Sequence, residues 1–92
     1  MVRVKSVKPE NGHRLHIEFE DGVHGTVDLS ADLYGPMFEP LRDDRYFAQV
    51  SVDEYGVVCW PNGADLAPEV IYEEIRAAVG GFARNPNPNP RG

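Results

Sequence analysis

The stretch from His13 to Leu29 constrains the fold more tightly than any other part of the chain. Leu15, Ile17 and Phe19 alternate with Arg14, His16 and Glu18, the period of a strand with one buried face. Asp21-Gly22 follows, and Val23 to Leu29 alternates again. Register decides the loop between them. A two-residue Asp21-Gly22 loop sets Phe19 opposite His24 and Ile17 opposite Thr26, which puts the two apolar rows on opposite faces. A three-residue loop, Glu20-Asp21-Gly22, sets Phe19 opposite Val23 and Leu15 opposite Val27, so both rows share one face. Its third position needs a left-handed residue, and Gly22 stands there. The same register places Arg14 opposite Asp28 and Glu18 opposite His24 on the wet face, both favourable cross-strand pairs.

The rest of the chain is organised around this hairpin. Val2 to Val7 reads as a strand, and Pro9-Glu10-Asn11-Gly12 as the turn after it. Residues 30–43 form a long connection whose prolines forbid a continuous helix and whose Leu33, Phe38 and Leu41 pack down. Asp43 can cap a helical turn through Arg45, Tyr46 and Phe47. Gln49 to Asp53 reads as a strand with Val50 and Val52 inward, and Glu54-Tyr55-Gly56 turns the chain. Val57-Val58-Cys59-Trp60 is apolar on both faces, the mark of a central strand, and Pro61-Asn62-Gly63 ends it. Asp65 or Ala67 opens the one substantial helix, with Pro68 in its first turn and a stripe of Ile71, Ile75, Ala78, Val79 and Phe82. Gly80-Gly81 stops it. The expected fold is α+β: a small antiparallel sheet of about five strands, with the C-terminal helix packed on one face. Residues 1–82 form a single domain, and the Asn/Pro-rich residues 83–92 a disordered tail.

Charge and composition exclude more than they identify. The net charge is -6, from 9 Lys and Arg against 15 Asp and Glu, which disfavours a polyanionic partner such as nucleic acid. The basic residues cluster early: Arg3, Lys5, Lys8 and Arg14 precede residue 15, with Glu10 the one acid among them. No apolar run is long enough to cross a bilayer, and Met1 to Lys5 lacks the apolar core of a signal peptide, so no membrane partner and a cytoplasmic location are expected. The single cysteine, Cys59, lies in an apolar run and reads as a buried, inert thiol.

Three constellations bear on chemistry. His16, Glu18 and His24 share the wet face of the hairpin and form a weak candidate metal set, against the simpler reading of solvated side chains. The pairs Asp43-Asp44, Asp53-Glu54 and Glu73-Glu74 point apart on strand or helix, so they read as capping and solubilising groups rather than acid/base dyads. No nucleophile motif or phosphate-cradling loop is present. No enzyme activity and no cofactor are therefore expected. The segment Val58 to Glu69 stands out because it joins the only tryptophan to a tight turn and a helix start. Structurally, Trp60 packs the helix onto the sheet, Gly63 permits a left-handed turn and Asp65 caps the helix; functionally, Trp60, Asn62 and Asp65 form a recognition loop.

Trp60-Pro61-Asn62-Gly63-Ala64-Asp65-Leu66, followed by Pro68-Glu69 and Tyr72, resembles the signature of the bacterial domain-of-unknown-function family 2442. Val4 through Pro9, Leu15 to Gly22, Asp28-Leu29 and Gly35 through Asp43 agree with it. The resemblance implies a compact α+β domain on antiparallel strands, with no catalytic residues to carry over. It also implies an association with small neighbouring partners in arrangements like toxin–antitoxin pairs. The expected role is a non-enzymatic protein-interaction module, the accessory or antitoxin-like member of a two-gene pair, with another small protein or a second copy of the chain as partner. A small-ligand or metal-binding domain is the alternative.

Overall fold

The structure, a computed structural model, describes residues 1–79. Two three-stranded antiparallel sheets replace the one sheet of about five strands. The first contains β1 (Val4–Glu10), β2 (Arg14–Phe19) and β3 (His24–Asp28), in that order. The second contains β4 (Ser51–Val52), β5 (Val58–Cys59) and β6 (Asp65–Leu66), also in chain order. Between them lie a 3-10 turn (Glu39–Arg42) and the short helix α1 (Asp44–Phe47); α2 (Pro68–Val79) follows β6. The expected helix stop at Gly80-Gly81, Phe82 of the helical stripe and the tail at 83–92 lie outside the described residues.

The β2–β3 register is the one that shared apolar rows demand. Leu15 pairs with Val27, Arg14 with Asp28 and Glu18 with His24. The loop closes through Phe19 N–H to Val23 O at 2.8 Å and Gly22 N–H to Phe19 O at 2.9 Å, with Gly22 at φ 93°. The same device recurs twice. Asp53 and Val57 flank Glu54-Tyr55-Gly56, with Asp53 N–H to Val57 O at 3.0 Å and Gly56 at φ 77°. Trp60 and Ala64 flank Pro61-Asn62-Gly63, with Trp60 N–H to Ala64 O at 2.9 Å and Gly63 at φ 94°. Each loop ends on a glycine because an L side chain there meets the left-handed penalty.

This recurrence explains the extra strand. Pro61-Asn62-Gly63 does not end the sheet; it turns the chain back so that Asp65 and Leu66 pair with Cys59 and Val58. Asp65 is therefore a strand residue, not the helix cap, and the helix begins at Pro68 after Ala67. At the other end, β1 runs on through Pro9 and Glu10, and the turn is Asn11-Gly12-His13. An edge strand tolerates a proline because one of its sides has no ladder to supply. A register shift between Val4 and Ser6 keeps Val4, opposite Phe19, and Val7, opposite Ile17, on one face despite their odd spacing.

The two sheets meet along β1. β4 lies beside it, Val4 N–H donates to Gly56 O at 2.9 Å, and Arg3 Nη2 donates to Glu54 O at 2.8 Å. α2 packs on β3, where Gly25 leaves room for Ile75; a Cβ there would stand 2.8 Å from Ile75 Cγ2. The core is one cluster, drawing Val4, Leu15, Ile17, Phe19 and Val27 from the first sheet and Val58, Trp60 and Ala64 from the second hairpin system. Leu33, Leu41 and Phe47 from the connection and Ile71 and Ile75 from α2 complete it. Ala78, placed on the apolar stripe by its spacing, is exposed. Cys59 is half-buried rather than buried, facing Ser51 across the β4–β5 pair. Among the described residues no charged or polar side chain is buried.

Candidate functional site

The tryptophan hairpin is held by its own chemistry. Trp60 is 3% exposed, and its indole N–H donates to Phe47 O at 3.0 Å while the ring packs against Phe47 at 5.8 Å. The indole thus seals α1 onto the second sheet. This corrects the expectation that it seats the long helix, which instead docks on the first sheet through Ile75 and Tyr72. Asn62 Oδ1 accepts from Ala64 N–H at 3.0 Å, and its Nδ2 donates to Met37 O at 2.9 Å, tying the loop to the long connection. Asp21 in the β2–β3 loop plays the same part, accepting from Val23 N–H at 3.0 Å. Such side-chain bonds two residues ahead are what Asx residues supply to turns. Tyr72 completes the link between loop and helix: its hydroxyl donates to Asp21, and its ring meets Phe19 edge-on at 4.9 Å.

Trp60 is buried and the Asn62 amide is engaged within the loop, whereas Asp65 lies on the surface. It lines a groove of about 350 Å3 formed where β6, the start of α2, the end of β3 and the long connection converge. Val27, Leu29, Leu33, Phe38, Leu66, Ala67, Val70 and Ile71 make its apolar lining. Asp28, Asp32, Asp65 and Glu74 contribute four carboxylates and no lysine or arginine joins them. Val70 is 58% exposed, a large apolar side chain on the helix but off the buried Ile71/Ile75 stripe. Asp28 is kept charged to lower pH than usual because the backbone and hydroxyl of Ser30 hydrogen-bond its carboxylate.

The histidine set is only partly brought together. His16 and His24 lie on the same face with ring centroids 5.4 Å apart, and His16 Nδ1 is 3.2 Å from Thr26 Oγ1. Glu18 stands opposite His24 in the ladder. Among the described residues no group of three or more His, Cys, Asp or Glu side chains is placed to hold a metal ion. His13, which the sequence did not single out, is the better anchored imidazole. It sits at φ 57° with Nε2 2.9 Å from Arg42 O and 3.2 Å from Asp44 Oδ1. A carbonyl only accepts, so Nε2 carries a proton and the ring strap holds the β1–β2 turn to α1.

The chain also carries a family assignment. Residues 4–77 match the model of a family described as "Protein of unknown function (DUF2442)". The chain belongs to this family. No curated protein and no solved structure matches it. Within this DUF2442 domain, four residues of the segment from Trp60 to Tyr72 have a structural role: Trp60 is an indole donor, Asn62 makes an Asx turn, Gly63 is left-handed and the Tyr72 hydroxyl pins the helix. Asp65 and Leu66 of the same segment open onto the groove. The groove's other members were not legible as a site, since Asp28, Asp32 and Val70 come from three separate segments. Val70, the apolar residue beside rather than on the helical stripe, was the one signal available. No helix among the described residues is long and apolar enough to cross a membrane.

Proposed function

We propose that this domain is a non-enzymatic protein-interaction module whose groove takes a cationic, amphipathic segment of a partner protein. The observation that carries the reading is the pairing of an apolar floor, including the exposed Val70 and half-buried Leu66, with four carboxylates and no lysine or arginine among the lining residues. Apolar surface supplies affinity, and single-sign charge around it selects and steers a partner of opposite sign. The net charge of -6 acts in the same direction. The family resemblance extends the proposal to the accessory or antitoxin-like member of a two-gene pair, with the partner encoded beside it and the complex formed in the cytoplasm.

Co-expression of the full chain with the neighbouring gene product tests this reading. Wild-type protein is expected to co-purify with it. Val70→Asp places a charge on an exposed position, so the fold is retained while binding weakens by about tenfold or more. Asp65→Asn with Glu74→Gln is expected to weaken binding less and to flatten its salt dependence. A complex indifferent to all three substitutions overturns the assignment of the groove. A thermal-shift series with divalent metals and small amphipathic amines separates the alternative, because a specific ligand raises the melting temperature by mass action.

A further inference from the structure

The two outer strands of the first sheet are finished differently. β1 carries a register shift between Val4 and Ser6, Lys5 and Lys8 along its length, and Pro9 near its end, and β4 lies beside it. Bulges, lysines and prolines are the devices by which natural sheets block an edge. β3 has none of them: His24-Gly25-Thr26-Val27-Asp28 keeps an unbroken ladder with β2. Phe19 N–H bonds Val23 O and Leu29 N–H bonds His13 O, so the odd-numbered residues of β3 face β2. By antiparallel alternation, the backbone N–H and C=O groups of His24, Thr26 and Asp28 point to the open side. Among the described residues no strand pairs there. A depression of about 170 Å3 separates Thr26–Asp28 from Glu74, Ile75 and Ala78 of α2.

This edge is complementary to itself. We propose that β3 pairs with β3 of a second copy, antiparallel about Thr26, merging two three-stranded sheets into one continuous sheet. In that register Thr26 meets Thr26 of the other copy and exchanges both backbone hydrogen bonds with it. His24 meets Asp28, and Asp28 meets His24. Arg14 already stands opposite Asp28 and Glu18 opposite His24 within each copy. The wet face across the junction then reads Arg14, Asp28, His24, Glu18, with no like charges adjacent. On the other face Val27 meets Gly25, beneath the Ile75 side chain that covers it. An interface of one strand pair is small, so the dimer exchanges with monomer in the micromolar-to-millimolar range.

Sedimentation of the full chain across that range tests the proposal. Wild-type protein is expected to pass from monomer to dimer, and the Thr26 amide to slow its hydrogen exchange as concentration rises. Thr26→Lys puts two lysines face to face on the dyad and is expected to weaken self-association by about tenfold or more with its circular dichroism unchanged. His24→Asp sets Asp opposite Asp and is expected to do the same, which keeps the test informative if the first variant folds poorly. Asp28 belongs to both surfaces, but Thr26 and His24 lie outside the partner groove and Asp65 and Val70 outside the β3 junction, so loss of dimer and loss of partner binding are separable. A wild-type chain that stays monomeric throughout, or a folded Thr26→Lys protein that dimerises equally well, overturns the proposal.

Discussion

Gly56 holds the junction of the two sheets, and replacing it with alanine isolates what that junction contributes. The residue is buried at φ 77°, and an added Cβ would stand 2.7 Å from Arg3 Cβ, 3.0 Å from Arg3 Cα and 3.1 Å from Val4 N. Two of those neighbours are backbone atoms, which cannot rotate away. Gly22 is the natural control: it fills the same loop position at φ 93° and has nothing within 4 Å of its added Cβ. Gly22→Ala therefore costs only the left-handed penalty, about 1–2 kcal/mol. Gly56→Ala costs that plus the forced separation of the β4–β5 loop from β1. Losing the Val4 N–H to Gly56 O bond removes about 1 kcal/mol, and partly exposing Val4 about 1 kcal/mol more. The expected gap between the two variants is roughly 2 kcal/mol, a large share of the stability of a domain this small. Urea unfolding followed by circular dichroism measures it, with equal slopes required for the comparison. A gap below about 0.5 kcal/mol would mean that the sheets are not joined through Gly56, and the reasoning would fail.

Three further outcomes follow from the same contacts. Trp60→Phe removes the donor to Phe47 O and leaves a void in the core, so stability should fall by about 2–3 kcal/mol in the same urea assay. Asp43→Ala removes the carboxylate that accepts from Arg45 and Tyr46 N–H, and should cost about 1 kcal/mol by thermal unfolding. Asp21 has its carboxyl held below the ordinary 3.8, first by the Tyr72 hydroxyl and then by the Val23 amide. Its folded-state value lies below the unfolded one, so its stabilisation is complete above the unfolded value and fades as pH falls through the folded value. Tyr72→Phe should therefore flatten the acid limb of the stability–pH curve; an unchanged limb refutes the link.

The sequence specified structure best where local chemistry and burial pointed the same way. The β2–β3 hairpin was legible because only one loop length puts Leu15, Ile17, Phe19 and Val27 on a common face. The Asp43 cap was legible for a similar reason: one residue type at one offset satisfies free helix N–H groups. Asp65 misled because it precedes a proline-started helix, where an acid is a natural cap, while the hairpin geometry that makes it a strand residue depends on Ala64 returning to Trp60. Pro9 misled because proline signals a turn unless the strand is an edge, and edge position is a tertiary property. Val4 and Val7, three apart, carried the trace of the bulge that keeps both inward. The groove was hidden for a deeper reason. Its carboxylates come from β3, the long connection, β6 and α2, and no periodicity relates positions so far apart.

The most direct test is to titrate the isotopically labelled full chain with a synthetic amphipathic Lys/Leu peptide and follow its amide resonances. The expected perturbations centre on Leu66, Ala67, Val70 and Ile71, extend to Asp28 and Leu33, and disappear in Val70→Asp protein. Shifts spread over all acidic residues alike, or unaffected by that substitution, would contradict a partner groove at this site.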